Sequence, residues 1–234
     1  MKAISVLQDI LNGFDFSGLR EILMRVIPAL LCITLHELSH GYTAYLLGDD
    51  TAKNAGRLTL NPVKHIDPMG LLMMLLFRFG WAKPVPVNMF RFKDPKRGMA
   101  VTAFAGPVSN LLICVVFLFL YGLLYYPLAL SPKLGAASPY VMETVYTTAY
   151  ISLAMGIFNL LPIPPLDGSK VLYSLLPDSA YMKLMRFERY GILLLWALVG
   201  FRVLGNPLST ATLWLFDKLF VVAEFAFDLV RKAI

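Results

Sequence analysis

The sequence predicts an all-α fold, a polytopic transmembrane bundle of about five to six helices with a re-entrant or edge-strand hairpin near the active site. The 234-residue chain is 58% hydrophobic and only 15% charged, which is more apolar than a soluble domain. Long apolar stretches recur from one end to the other, and no segment between them could form a separate core exposed to water. We therefore expect one membrane-embedded domain over residues 1–234.

Five stretches have the length that a bilayer requires, which is about 20 mostly apolar residues. They lie at approximately 22–47, 99–130, 140–161, 190–206 and 208–230. In the last stretch Asp217, Glu224 and Asp228 fall near one helical face, so this helix either crosses the membrane or lies flat on its surface.

The hairpin is predicted between the first two of these spans. The apolar run from Pro68 to Trp81 is too short to cross a bilayer. In the following segment WAKPVPVNMFRF the prolines prevent a helix, while Val85 and Val87 alternate as in an edge strand. Further along, residues 171–190 mix apolar and basic side chains, which predicts an amphipathic helix at the membrane interface.

The charge pattern favours contact with a membrane and argues against binding of nucleic acid. The net charge is +6, but the Lys and Arg residues form short clusters beside apolar runs, where they orient spans and contact anionic lipid headgroups. If the first span ends in the cytoplasm, most basic residues lie inside. The basic residues outside are then Lys2, Arg20, Arg25 and Lys133.

Neither the N-terminus nor the cysteines add a further class of protein. Asp9 and Asp15 interrupt the first apolar residues, so we expect this segment to be retained rather than cleaved as a signal peptide. Cys32 and Cys114 lie within apolar runs, which indicates neither a disulfide framework nor a cysteine-rich metal site.

The first span carries the motif LHELSHG at residues 35–41. On a helix His36 and His40 lie one turn and about 40° apart, so both imidazoles can reach one zinc ion. Glu37 lies at the flank of this face, where it can take a proton from an attacking water but cannot chelate beside both histidines. The alternative is a chance match or a set of interhelical hydrogen bonds. Ionisable groups at membrane depth cost about 2.5–3.5 kcal/mol each, and a metal would offset that cost.

A catalytic zinc takes three protein ligands and keeps one position open, so a third ligand is needed. The candidates are His65 and Asp167, of which Asp167 follows three prolines in NLLPIPPLDG at residues 159–168. Broken backbone at membrane depth is tolerated where it lines a polar cavity, although Asp-Gly is also a common turn. The predicted topology brings Asp167 and the histidine pair to the cytoplasmic side, which favours Asp167 as the ligand.

Four motifs in order resemble the site-2 protease family of intramembrane zinc metalloproteases, in the short bacterial and archaeal form that lacks a PDZ domain. They are HELSH, NPVKHIDPMG at 61–70, FAGPVSN at 104–110 and NLLPIPPLDG. The resemblance implies one Zn²⁺ per chain bound by His36, His40 and Asp167, with Glu37 as the catalytic base. It also implies a multi-pass protein of a prokaryotic cell membrane whose site opens to the cytoplasm.

The same resemblance raises four further candidates. Asn159 matches the family's Asn ahead of the proline-rich stretch and is either a donor to the substrate carbonyl or oxyanion, or a helix-end group. Asn110 either supports the metal site or bonds a neighbouring helix, and helix packing is the more ordinary role. His65 and Asp67 are interpreted as groups that support the ligands or structure their loop.

The expected function is hydrolysis of peptide bonds in membrane-spanning or membrane-associated proteins, whose helices must unwind before they can be cut. The segment around Val85 offers an edge with which an extended substrate could pair. Two alternatives are a metal-binding membrane transporter and a catalytically silent scaffold that binds membrane proteins. The carboxylate of Glu37 beside the two histidines argues for the protease.

Overall fold

The computed structural model describes residues 16–77, 81–130, 138–201 and 203–233. Over these ranges the chain forms helices and no regular strand, so the predicted all-α class is confirmed. The prediction that the N-terminus is retained concerns residues outside the described ranges. Lys2 and Lys133 also lie outside them.

The helices follow one another closely along the chain. They are α1 (Phe16–Leu46), α2 (Thr51–Asn54), α3 (Pro68–Phe77), α4 (Pro95–Leu130), α5 (Ser138–Asn159), α6 (Asp167–Ser174), α7 (Asp178–Gly200), α8 (Gly205–Leu219) and α9 (Val221–Ala233). There are two short 3-10 turns. Pro62–Lys64 lies before the predicted hairpin, and Met89–Arg91 lies near its end.

Among the described residues, two helices are long and apolar enough to cross a membrane by themselves, over Pro95–Leu128 and Ser138–Asn159. A third span results if Tyr190–Gly200 and Gly205–Ala233 act together, although they meet at a bend of 84°. Helix α1 is 31 residues long, but His36, Glu37 and His40 lower its mean hydropathy. These helices agree with an integral membrane protein.

Two predicted helices are divided in the structure. The amphipathic helix expected over 171–190 is divided into the last turn of α6 and the first part of α7. The break includes Pro177, which has no N–H to continue a helix. The last predicted span, 208–230, is broken at Phe220 into α8 and α9. Helix α9 then packs along α4, where Gly122 lies directly against the backbone of Ala223.

The predicted hairpin forms, but without a regular strand. Ile66 and Ala82 make an antiparallel bridge around α3, and the Lys83 N–H donates to the His65 carbonyl at 2.9 Å. Pro84 and Pro86 then remove two backbone donors, so a continuous ladder cannot extend from this bridge.

The core lies around α4, which packs against α1, α5 and α9. Its buried residues are small or aliphatic side chains together with one aromatic ring: Cys114, Leu118, Ala149, Leu153, Phe216 and Ala223. Close packing of small residues is typical of helices in membranes, where apolar surface alone does not drive association. Helix α1 lies beside α4, and residues of both helices contribute to the candidate site.

Candidate metal centre

Two distant parts of the chain supply the site. Helix α1 carries His36, Glu37 and His40, and Asp167 is the first residue of α6. The proline-rich loop between α5 and α6 folds tightly, because Gly168 lies directly against the Leu160 carbonyl, where a side chain would clash. Asp167 is therefore the first residue of a helix, and its carboxylate also faces the two histidines.

Three ligand atoms converge at one point. His36 Nε2 and His40 Nε2 are 3.0 Å apart, and each lies 3.1 Å from Asp167 Oδ2. The three residues are buried and form the one group of this kind found among the described residues. Apart from these two ring nitrogens, no group within the described ranges bonds Asp167 Oδ2. Two imidazole nitrogens and a carboxylate oxygen suit zinc, which would also satisfy this buried oxygen.

Backbone and side-chain groups fix both imidazoles from behind. His40 Nδ1 lies 2.7 Å from the Thr102 carbonyl oxygen, which can only accept, so Nδ1 carries the proton and Nε2 keeps its lone pair for a metal. His36 Nδ1 lies 3.2 Å from Asn110 Nδ2, and the oxygen and nitrogen of an Asn amide exchange places when the group is turned by 180°. If Asn110 presents its oxygen here, His36 Nδ1–H donates to it and that oxygen, otherwise buried without a partner, is satisfied. The structure thus brings Asn110 to a metal-ligand candidate and not only to a neighbouring helix.

Glu37 faces the same cavity but is not part of the converging group. Its Oε2 accepts a hydrogen bond of 2.8 Å from the Val85 backbone N–H. Val85 belongs to the extended segment after α3, so the predicted hairpin reaches the site through this contact. The bond holds one carboxylate oxygen of Glu37 and orients the other.

A buried carboxylate anchors this extended segment to the end of α1. Asp49 accepts hydrogen bonds from the N–H groups of Thr51 at 3.0 Å and Asn88 at 2.6 Å. Burial disfavours the charge of Asp49, but a hydrogen bond from the Thr51 hydroxyl, together with these two backbone bonds and the nearby Arg91, outweighs it and lowers the pKa of the carboxyl below the ordinary value. Asp49 therefore fixes the position of the segment that carries Val85 relative to α1, which carries Glu37.

The converging residues open into a cavity of about 370 Å³. Asn159 lines this cavity, and its Nδ2 also donates to the Met155 carbonyl at 3.0 Å. Both predicted roles of Asn159 are thus compatible with its position. The remaining walls include Val85, Val87, Lys170 and Glu188.

The structure places His65 and Asp67 apart from the three converging ligand atoms, in the loop-structuring role that was one of the two roles predicted for them. They line a separate cavity of about 20 Å³ beside Trp81. His65 Nε2 lies 2.9 Å from the Thr59 carbonyl, and Asp67 Oδ1 accepts from the backbone of Met69 and Gly70 at the start of α3. Both residues structure the hairpin loop, and neither lines the cavity of the metal ligands.

Sequence reasoning missed the role of Gly106 in this site. A Cβ atom at Gly106 would lie about 2.5 Å from the His40 ring and 2.6 Å from the His36 ring. Glycine in FAGPVSN was a usable signal, because a helix that packs against two imidazoles needs a position without a side chain.

We expect Gly106→Ala to displace both histidines and to lower zinc affinity and cleavage by about 10- to 100-fold, the range for disturbed ligand orientation. Zinc content and peptide cleavage measure this. Gly200→Ala is the matched control, because a Cβ there meets nothing within 4 Å. Equal loss in both variants would assign the effect to helix stability instead.

The fold and the site define a class of protein, an integral membrane zinc metalloprotease, and the comparisons agree. Residues 127–199 match Peptidase family M50, a range that includes Asn159 and Asp167. "Putative zinc metalloprotease YwhC" of Bacillus subtilis is 40% identical over 190 residues, covering 81% of this chain and 83% of that protein. "Putative zinc metalloprotease Rip2" of Mycolicibacterium smegmatis is 28% identical and covers 80% of this chain and 71% of its own length.

The chain belongs to peptidase family M50, the site-2 protease family. Its cofactor is accordingly Zn²⁺, for which the group formed by His36, His40 and Asp167 offers suitable ligand atoms. No solved structure gives a significant match to the chain.

Proposed function

We propose that this zinc metalloprotease hydrolyses peptide bonds of membrane-spanning or membrane-associated proteins. His36, His40 and Asp167 are the proposed ligands of one zinc ion, and Glu37 is the proposed general base. The observation that carries the proposal is the position of the Glu37 carboxylate, which faces the same cavity as the three converging ligand atoms without being one of them.

Zinc in such a site supplies Lewis acidity, which makes water more acidic and polarises a peptide carbonyl. Glu37 takes the proton of the attacking water through the carboxylate oxygen that Val85 leaves unbound, and then gives it to the leaving amine. Asn159 uses one amide N–H on Met155, so its second N–H is available to the substrate carbonyl oxygen.

A substrate must present extended backbone to this site, because a helix keeps its carbonyls in internal hydrogen bonds. The segment around Val85 is the proposed pairing edge. Its N–H groups at Lys83 and Val85 are already bonded to His65 and Glu37, and Pro84 and Pro86 have none. We therefore expect substrate N–H groups to donate to carbonyls of this segment rather than the reverse.

The proposed location is a multi-pass arrangement with the site opening to the cytoplasm, supported by the distribution of Lys and Arg. We expect Lys93→Cys to react with a membrane-impermeant maleimide only from the cytoplasmic face, and Ser138→Cys only from the opposite face. Intact spheroplasts and inside-out vesicles provide the two faces. The native thiols Cys32 and Cys114 are buried and give little background. The reverse labelling pattern would overturn this orientation.

The proposed function is tested with purified protein in liposomes together with single-span test proteins whose hydrophobic segments differ in sequence. We expect cleavage that a zinc chelator stops and added zinc restores. The transporter alternative predicts zinc uptake into the liposomes without cleavage, and the scaffold alternative predicts binding of the test protein without either. Each of those two outcomes would contradict the protease.

A further inference from the structure

The cavity that contains the metal ligands also contains an ion pair that has no part in the proposed hydrolysis. Lys170 lies one turn beyond Asp167 on α6, and Glu188 lies on α7, which is placed by the close contact of Gly191 with Pro164. Lys170 Nζ and Glu188 Oε1 are 3.8 Å apart, with 24% and 23% of their side chains exposed. Both residues line the cavity, so a charged pair borders the position that a substrate must occupy.

The pair is loose and therefore exchangeable. A separation of 3.8 Å exceeds the distance of about 2.7–3.2 Å for a hydrogen bond, so the Lys170 ammonium keeps its donors for another acceptor. Partly exposed ion pairs contribute little to stability. Replacing the Glu188 carboxylate by a carboxylate of another molecule therefore costs little.

The charges in the cavity indicate which substrate group fits. The two positive charges of a zinc ion would balance the negative charges of Glu37 and Asp167. The remaining charges on the part of the cavity wall that the structure describes are those of Lys170 and Glu188. Among the described residues that line the cavity, Lys170 is the one Lys or Arg, and its other neighbours there include apolar side chains of Val85, Met99 and Met185. An acidic side chain of a substrate that enters the cavity can pair with Lys170. A basic side chain would have to compete with Lys170 for Glu188.

We propose that Lys170 is a specificity-determining residue that binds an Asp or Glu side chain of the substrate near the scissile bond. Glu188 takes the place of that carboxylate in the free enzyme. This assignment rests on the proposed proteolysis. Lys170 follows Asp167 by one helical turn of about 5 Å, and an extended substrate advances about 3.3 Å per residue, so the acidic residue lies within about three residues of the cleaved bond.

The experiment uses a single-span test protein that the wild type cleaves, with the cleaved bond mapped by mass spectrometry. Glu, Gln or Lys is placed singly at each of the three residues on either side. We expect Glu at one position to raise kcat/KM by about two- to fivefold over Gln, the effect of one partly exposed ion pair. Lys170→Gln should abolish this preference for Glu. Lys170→Glu should instead give a preference for Lys, at that substrate position and at no other. Glu188→Gln should strengthen it through a lower KM.

Lys183→Glu is the matched control, because Lys183 is exposed on α7 and does not line the cavity. It should leave the preference unchanged, and zinc content should be equal in all variants. If the wild type cleaves every test protein equally well, or if the Lys170 variants keep its preference, this proposal is overturned and the proposed proteolysis stands. If the wild type cleaves the parent test protein but none of its substituted forms, only this proposal is overturned. If it cleaves no single-span protein at all, both are overturned.

Discussion

Glu37→Gln is expected to retain zinc and to lower the rate of peptide cleavage by about 10²- to 10⁴-fold, the contribution typical of a general base. Glutamine has nearly the same shape as glutamate, and its carbonyl oxygen can still accept the hydrogen bond from the Val85 N–H. The cavity should therefore keep its geometry while the group that takes the proton is lost. Metal analysis and initial cleavage rates on the same preparation measure the two effects.

The control for this variant is Glu143→Gln, which makes the same chemical change at an exposed position on α5. It should alter neither zinc content nor cleavage. Undiminished cleavage by Glu37→Gln would remove Glu37 from the chemistry. Loss of zinc from Glu37→Gln, with zinc retained in the control, would instead make Glu37 a ligand.

The parts of the site that follow from local geometry were predictable from the sequence. The spacing of His36 and His40 on a helix fixes their relative position, so the structure needed only to confirm that both Nε2 atoms converge. Asp167 was ambiguous, because Asp-Gly also marks a turn. Its position depends on how tightly Gly168 packs on Leu160, a tertiary contact that a turn motif does not contain.

Other features had no signal in residue type. The backbone carbonyl of Thr102 orients His40. Every residue has such a carbonyl, so residue type gives no signal for this contact. The break at Phe220 falls in an apolar run without proline or glycine, and packing of α9 on α4 accompanies it. His65 and Asp67 also have the right chemistry for a metal site, and residue type alone could not decide between that role and the structuring of their loop, where the structure places them.

The third ligand is decided by comparing Asp167→Ala with His65→Ala. Asp167→Ala removes the oxygen that lies 3.1 Å from both histidine Nε2 atoms. We expect cleavage to be abolished and zinc affinity to fall by more than about 100-fold. Loss of a residue that only hydrogen-bonds a metal ligand typically lowers the affinity by about 10- to 100-fold. His65→Ala should keep its zinc, because His65 bonds the Thr59 carbonyl in a separate cavity.

The two variants control for each other, since His65 is also buried and its loss also destabilises the fold. His65→Ala removes a buried hydrogen bond, which typically costs about 1–3 kcal/mol of stability. A lower melting temperature with full zinc content is therefore its expected result. Metal should be measured on protein that elutes like the wild type, because misfolded protein loses zinc for any reason. If His65→Ala loses zinc while Asp167→Ala keeps both metal and activity, Asp167 is only the first residue of α6 and the ligand set must be redrawn around His65.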